Sequence, residues 1–282
     1  MAEFLTALRA YAFMQNALLA GLLASVACGV VGTYVVTRRI TYIAGSIAHC
    51  VLGGMGVVLY LQTTRGWTHL HPLHGAMAAA LVAAAVIGWV SLRARQREDT
   101  VIGAIWAVGM AVGLLFIAKT PGYVQNLMSY LFGNILMVSR HDLWLIAGLD
   151  VLVLTVAVLL HPQLLAVCFD EEFARTRALR TGIYYMILLL LTAVTVVLLV
   201  TVVGIVLVIA LLTLPAAVAG HFSRRLWHMM LLAACACALF TTGGLALSFA
   251  PDLPAGATIV MLAGGTYLAV ALGSQVLRRR RR

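Results

Sequence analysis

Charged residues are scarce in this 282-residue sequence: Asp, Glu, Lys and Arg make up 10% of it, and 63% of its residues are hydrophobic. Ordinary soluble domains are about one-quarter charged, and their helices are apolar on one face only, so this composition excludes a soluble fold. Several apolar runs have about twenty residues, the length that spans a bilayer. The sequence therefore predicts an all-α, polytopic membrane protein with eight or nine transmembrane helices in a single domain over residues 1–282.

Several motifs are absent as well. No "GxxxxGK[ST]" pattern for binding ATP phosphates and no HExxH zinc-protease pattern occurs in the sequence. No nucleophile and base stand at catalytic spacing, so we do not expect an enzyme. The five cysteines fit neither a disulfide framework nor a zinc finger, and Cys235 and Cys237 would point about 200° apart on a helix. These cysteines are interpreted as small apolar filler.

The basic residues predict the orientation in the membrane. The net charge is +10, and the arginines gather at the ends of apolar runs, the positive-inside pattern rather than a nucleic-acid-binding stripe. Arg38 and Arg39 close a first span that begins near Ala12, and Arg278–Arg282 follow the last one. We expect an inner (plasma) membrane protein whose N-terminus faces out and whose C-terminus is cytoplasmic. No small-residue cleavage site follows the first span, which is expected to be retained.

Two stretches depart from an ordinary span. Lys119–Asp142 contains Pro121, Gly122, Gly133 and frequent polar residues, which favours a re-entrant or broken helix. In the seventh span, the segment "TVVGIVLVIALLTLPAAVAG" is expected to be interrupted by Pro215.

His49 is the leading candidate for a functional residue. It lies about 10 Å along a helix from Tyr42, well inside a hydrocarbon core roughly 30 Å thick. An ionisable residue at that depth is costly and indicates a functional site. Helical spacing places Gly45 and Gly53 on the same face, so a second backbone or a small solute can approach the imidazole there. Ser46 can approach this face, whereas Cys50 is rotated by about 100° and is expected to pack.

Other candidates lie on separate segments. Asp150, near the middle of the fifth span, is either a carboxylate ligand that complements His49 or a group that caps or hydrogen-bonds a neighbouring helix; the sequence leaves both open. His69, His71 and His74 lie in a polar outer loop. Imidazole is a common zinc ligand, so these histidines either collect metal or form a solvated, weakly binding surface.

Five segments, taken in order, resemble the membrane-spanning permeases of the metal-ion branch of ABC importers, which take up zinc, manganese or iron from a periplasmic or lipoprotein-type binding protein. The matching segments are Arg38 and Arg39 with Ala48, His49 and Gly53; "EDTVIGA" from Glu98; "MSYLFGNILMVSRHDL" from Met128; "FDEEFARTRAL" from Phe169; and "VGIVLVIALLTLPAAVA" with "GATIVMLAGGTYL" in the C-terminal half.

The resemblance implies a permease of the metal and vitamin B12 type of architecture, which dimerises, receives metal from an extracytoplasmic binding protein and is driven by cytosolic ATP-binding subunits. It implies no nucleic-acid partner and no permanently bound cofactor, only a transported divalent metal. It also makes the amphipathic "FDEEFARTRALR" the expected ATPase-coupling segment. The residues predicted to couple are Phe169, Asp170, Glu171, Glu172 and Arg175.

The sequence departs from the family pattern at residue 45. The family usually places an aspartate four residues before the histidine, one helical turn away, and here that position is Gly45. Loss of an oxygen ligand favours zinc, which imidazole suits, over manganese, which prefers carboxylate and water. We therefore predict a zinc importer permease. The alternatives are a manganese or iron importer of the same family, or a self-contained secondary metal transporter or channel.

Overall fold

The computed structural model describes residues 2–67, 69–93, 98–121, 133, 135–251 and 253–280. Within these ranges the chain is α-helical apart from loops and a short 3₁₀ turn at Ile135–Met137, and it has no β-strand. The helices are α1 (Ala2–Ala10), α2 (Ala12–Arg38), α3 (Thr41–Arg65), α4 (Pro72–Arg93), α5 (Glu98–Ala118), α6 (Arg140–Leu159), α7 (His161–Phe169), α8 (Glu171–Thr176), α9 (Thr181–Val203), α10 (Ile205–Phe222), α11 (Leu226–Phe249) and α12 (Ala255–Arg280).

Nine of the described helices are long and apolar enough to cross a membrane: α2 to α6 and α9 to α12. This confirms the predicted all-α, polytopic class and the upper of the two predicted helix counts for the described part of the chain. The predicted re-entrant or broken helix falls largely on residues 122–132 and 134, which lie outside the described residues.

The helix ends follow local chemistry. Helix α3 ends at Gly66, whose φ of 65° is the left-handed conformation that glycine adopts most readily. Helix α6 begins with a capping box, in which the Ser139 side chain accepts from the Asp142 amide and the Asp142 carboxylate accepts from the Ser139 amide. Asp170 caps α8 by accepting a hydrogen bond from the amide of Phe173.

The predicted interruption at Pro215 is wrong. Helix α10 continues through Pro215. The helix is interrupted instead at Gly204, between α9 and α10. Its backbone has a φ of 90° and a ψ of 160°, a conformation that residues other than glycine rarely adopt. A membrane helix can continue through a proline, because neighbouring groups satisfy the backbone carbonyl that the proline leaves unpaired. The positive φ of Gly204, in contrast, separates α9 from α10.

The chain divides into two compact units. The first comprises Met1–Val36, Met128–His161 and Val202–Arg282. In it, α10, α11 and α12 pack against one another. Helix α2 approaches its neighbours through small residues: a methyl group at Gly32 would overlap the carbonyl oxygen of Leu212, and one at Gly29 would lie 2.6 Å from Cβ of Ala234. Membrane helices commonly use small residues for such close backbone contact.

The second unit comprises Thr37–Leu127 and Pro162–Thr201. Its centre is α3, which packs against both α4 and α5. Glycines again set the distance between the helices: a methyl group at Gly53 would lie 2.6 Å from the carbonyl oxygen of Gly109, and one at Gly56 would lie 2.7 Å from that of Gly113. This packing fixes the side chains of α5 against the helix that carries His49.

Candidate functional site

His49 lies on the part of α3 that faces α5, and its imidazole stacks on the indole of Trp106. The ring centroids are 4.5 Å apart and the ring planes meet at 19°. The Nδ1 atom is buried and has no hydrogen-bond partner among the described residues. Buried polar atoms are nearly always paired, so this unpaired imidazole nitrogen is unusual and singles out His49 as a candidate functional residue.

Trp106 is the residue at this site that the sequence did not reveal. Its indole also covers Gly45, where a Cβ would lie 3.5 Å from an indole ring carbon, and its ring centroid is 5.5 Å from that of Tyr42. A larger side chain at position 45 would contact the indole. The sequence offers only an aromatic residue within an apolar helix as a signal, and that pattern is far more common than a functional site.

Ser46 and Cys50 join α3 to α5. The Ser46 hydroxyl donates to the carbonyl oxygen of Ile102 over 3.0 Å, and the Cys50 thiol donates to that of Ile105 over 3.3 Å. Cys50 is buried, as expected from its rotation away from His49. Ser46 is fully buried, and its hydrogen bond is made within the protein.

Asp150 lies in the other unit, on α6, and is 6% exposed. Neither carboxylate oxygen has a hydrogen-bond partner of normal geometry within the described chain, but the backbone of Ala27 on α2 lies close enough for a weak hydrogen bond with the carboxylate. Both alternatives for Asp150, a metal ligand or a group that hydrogen-bonds a neighbouring helix, therefore stay open. No group of three or more His, Cys, Asp or Glu side chains able to hold a metal ion occurs in the described ranges.

The outer histidines His69, His71 and His74 are exposed, and the Nδ1 atoms of His71 and His74 accept local hydrogen bonds. The amide of His71 donates to Nδ1 of His74 over 3.0 Å, and the amide of Leu73 donates to Nδ1 of His71 over 3.3 Å. In neutral imidazole, an accepting Nδ1 leaves the proton on Nε2, which then cannot ligate a metal. The rings of His71 and His74 lie 6.4 Å apart and are perpendicular. In this arrangement the loop is not a preformed metal site.

The predicted coupling segment forms the end of α7 and all of α8. Three of its five predicted residues act inside the chain: Asp170 caps α8, and Glu171 binds both Arg38 and Arg175, the latter at 2.7 Å. Burial alone would raise the pKa of Glu171, but hydrogen bonds from Arg175 and Arg38 outweigh it and lower that pKa below its ordinary value.

The remaining part of this segment is free to meet a partner. Glu172 is exposed, Phe169 is 65% exposed and Phe173, which the sequence analysis did not select, is 53% exposed. The guanidinium of Arg177 lies 5.3 Å from the Phe173 ring centroid. Phe169 at the end of α7 and Phe173 on the capped, ion-paired α8 thus present two exposed aromatic rings on either side of Asp170.

Nine candidate spans within the described residues define a polytopic membrane protein. The chain belongs to the ABC 3 transport family, whose sequence model matches residues 10–274. It is thus the membrane-spanning permease component of an ABC transporter rather than an enzyme. The resemblance to metal-ion ABC permeases is confirmed.

The chain is similar to several named proteins. It is 40% identical over 250 residues to a probable metal transport system membrane protein of Chlamydia trachomatis serovar D, covering 89% of this chain and 85% of the relative. It is 35% identical to the manganese transport system membrane protein MntC of Halalkalibacterium halodurans, covering 94% and 88%. Among solved structures, PsaBC from Streptococcus pneumoniae in complex with Fab has a TM-score of 0.83 and 29% identity, covering 95% of this chain and 94% of that one.

Proposed function

We propose that this chain is the permease subunit of an ATP-driven importer of a divalent transition metal, and that the ion passes His49 on its way through the membrane. The observation that carries the proposal is the buried, unpartnered Nδ1 of His49 within a membrane-spanning helix of an ABC transport family member. The metal-transport names of the relatives support the same cargo class.

Zinc is the cargo that we propose first. The argument is chemical: α3 presents an imidazole without the carboxylate that the family usually places one turn away, and imidazole suits zinc better than manganese. Manganese is the second candidate, because relatives such as the Halalkalibacterium halodurans protein carry manganese in their names. Iron, which the resemblance also allows, is third.

His49 requires ligands from elsewhere in the assembly. Asp150 is the proposed carboxylate, since both of its oxygens are buried and neither has a hydrogen bond of normal geometry within the described chain. Ser46 is the weaker proposal, because its hydroxyl is already bonded to the Ile102 carbonyl. We also propose that His69, His71 and His74 form a metal-collecting loop. For His71 and His74 to bind an ion through Nδ1, the hydrogen bonds that these atoms accept would have to break.

The proposed assembly contains two copies of this single-domain permease, two cytosolic ATP-binding subunits and an extracytoplasmic metal-binding protein, in the inner (plasma) membrane. The basic residues at helix ends support an external N-terminus and a cytoplasmic C-terminus. That orientation places α7 and α8 on the cytoplasmic side, where the exposed Phe169, Phe173 and Glu172 form the proposed contact with the ATPase. Asp170, Glu171 and Arg175 hold that contact surface in shape.

Reconstitution of the permease with its ATPase and binding protein in liposomes tests the proposal. We expect ATP-dependent accumulation of ⁶⁵Zn, with slower accumulation of ⁵⁴Mn in parallel liposomes. Accumulation that needs no ATPase would establish the secondary transporter instead. ATP-dependent accumulation of manganese with none of zinc would retain the importer and overturn the zinc assignment.

A further inference from the structure

A basic, amphipathic pocket opens between α4 and the start of α9, away from His49. Its volume is about 770 Å³, within the range of about 300–1,000 Å³ that is usual for ligand sites. Its lining combines apolar and aromatic side chains with three arginines. The apolar and aromatic lining residues include Trp89, Leu92, Ile183, Met186 and Ile187, and the basic ones are Arg93, Arg175 and Arg180.

The arginines of this pocket differ in how they are paired. Arg175 forms an ion pair with Glu171 at 2.7 Å, and its Nε donates to the Thr181 hydroxyl over 3.3 Å. These two contacts hold its guanidinium group in the pocket lining. Within the described part of the chain, no acidic side chain pairs with Arg93 or Arg180. Among the described residues, two of the pocket's positive charges are therefore uncompensated, and apolar side chains line the pocket beside them.

The apolar and aromatic lining residues have the features of a membrane interface. Trp89 is 58% exposed near the end of α4, and Ile183 is half exposed in the first turn of α9. Tryptophan concentrates at the headgroup level of bilayers, and basic residues at helix ends sit at the same depth. Guanidinium groups bind phosphate through paired N–H donors.

We propose that this pocket binds the phosphodiester headgroup of an anionic phospholipid such as phosphatidylglycerol. Arg93 and Arg180 hold the phosphate, and Trp89, Leu92 and Ile183 contact the glycerol and the first part of the acyl chains. Clusters of basic residues between membrane helices recognise anionic lipids through this combination of charge and apolar surface. The inference does not depend on which metal is carried.

The test is native mass spectrometry of the purified permease, in complex with its ATPase, after titration with phosphatidylglycerol or phosphatidylcholine. The double variant Arg93→Gln, Arg180→Gln is compared with Arg224→Gln, Arg225→Gln, which removes the same charge from exposed positions elsewhere. We expect the pocket variant to lose about tenfold in phosphatidylglycerol affinity. The control variant should bind like the wild type, and phosphatidylcholine should bind weakly to all three.

Further measurements test whether the variants fold and whether something other than a lipid occupies the pocket. The variant Arg93→Lys, Arg180→Lys keeps the charge and should keep most of the binding, at an unchanged melting temperature. Equal phosphatidylglycerol binding by the wild type and the Gln variant would overturn the proposal. Displacement of the lipid by millimolar inorganic phosphate would assign the site to free phosphate. Loss of the ATPase from the Gln variant with lipid binding intact would assign the surface to that subunit.

Discussion

At the scale of single residues, Gly45 and Trp106 define the surroundings of His49. The Trp106 indole stacks on the imidazole and lies 3.5 Å from where a Cβ of residue 45 would be. The imidazole of His49 therefore stacks on Trp106 and has no carboxylate one turn away on its own helix. We infer that selectivity in this chain depends on that aromatic contact as well as on ligands from other helices.

Restoring the carboxylate tests the link between residue 45 and the cargo. In Gly45→Asp, the new Cβ would make an ordinary contact of 3.5 Å with Trp106, so the backbone need not move. An aspartate one turn before His49 adds a hard oxygen ligand that manganese prefers. We expect the zinc-to-manganese uptake ratio of the reconstituted importer to fall by about tenfold, equivalent to about 1.4 kcal/mol of differential binding. An unchanged ratio would show that residue 45 does not set selectivity; Gly45→Asn provides the uncharged control.

Trp106 is predicted to position His49. Removing the indole in Trp106→Ala frees the imidazole, and we expect the zinc concentration for half-maximal uptake to rise about tenfold, the size typical of losing a group that orients a ligand. Trp106→Phe retains a stacking ring and should recover most of the loss. Trp144→Ala, at a 78% exposed position on α6, is the matched control. Equal effects of the Ala and Phe variants would exclude a role for stacking.

At the scale of helices, the closest packing is set by glycine. Gly32 on α2 allows the carbonyl oxygen of Leu212 on α10 to approach where a side chain would overlap it. The sequence shows glycines in apolar runs but not which of them meet a backbone, since that depends on the pairing of distant helices. In contrast, helix position and length could be predicted well, because each span carries its own apolar run and its own basic end.

Gly32→Ala is therefore expected to destabilise the folded permease. Forcing a methyl group into this contact should cost about 1–3 kcal/mol and lower the melting temperature in detergent. Gly265→Ala, on α12 with no heavy atom within 4 Å of the new Cβ, is the control. That variant should match the wild type or gain slightly from the higher helix propensity of alanine. If both variants melt alike, the close approach of α2 and α10 is not a determinant of stability.

The ion pairs of Glu171 give the connection between α6 and α9 a pH dependence. Arg175 and Arg38 hold the pKa of Glu171 below its ordinary value of 4.5, despite burial acting in the opposite direction. A carboxylate with a lowered folded-state pKa stabilises the fold above its unfolded pKa, and that contribution disappears as the pH falls through the folded-state value.

Melting temperatures measured from pH 7 down to about pH 3 test this network. We expect Glu171→Gln to melt below the wild type at neutral pH and the difference to vanish in acid. The exposed neighbour Glu172 supplies the control variant Glu172→Gln, for which no such convergence is expected. A difference that stays constant across the pH range would show that the ion pairs do not stabilise this segment.

At the scale of the whole molecule, composition and basic residues were enough to predict the membrane class, and the ordered motifs were enough to predict the family. The break at Gly204 and the continuity through Pro215 were not predicted, because proline is the stronger helix breaker in water while a bilayer tolerates it. The stacking of His49 on Trp106 was not predictable either, since it depends on how α3 and α5 pack against each other.

Transport by the assembled importer tests the central claim most directly. The measurement is ATP-driven ⁶⁵Zn uptake into liposomes by complexes containing wild-type permease or the His49→Ala variant, with ATP hydrolysis recorded in the same samples. Our account predicts that the variant assembles and hydrolyses ATP, while zinc uptake at low metal concentration falls about 10- to 100-fold. Undiminished uptake by the variant would contradict the account.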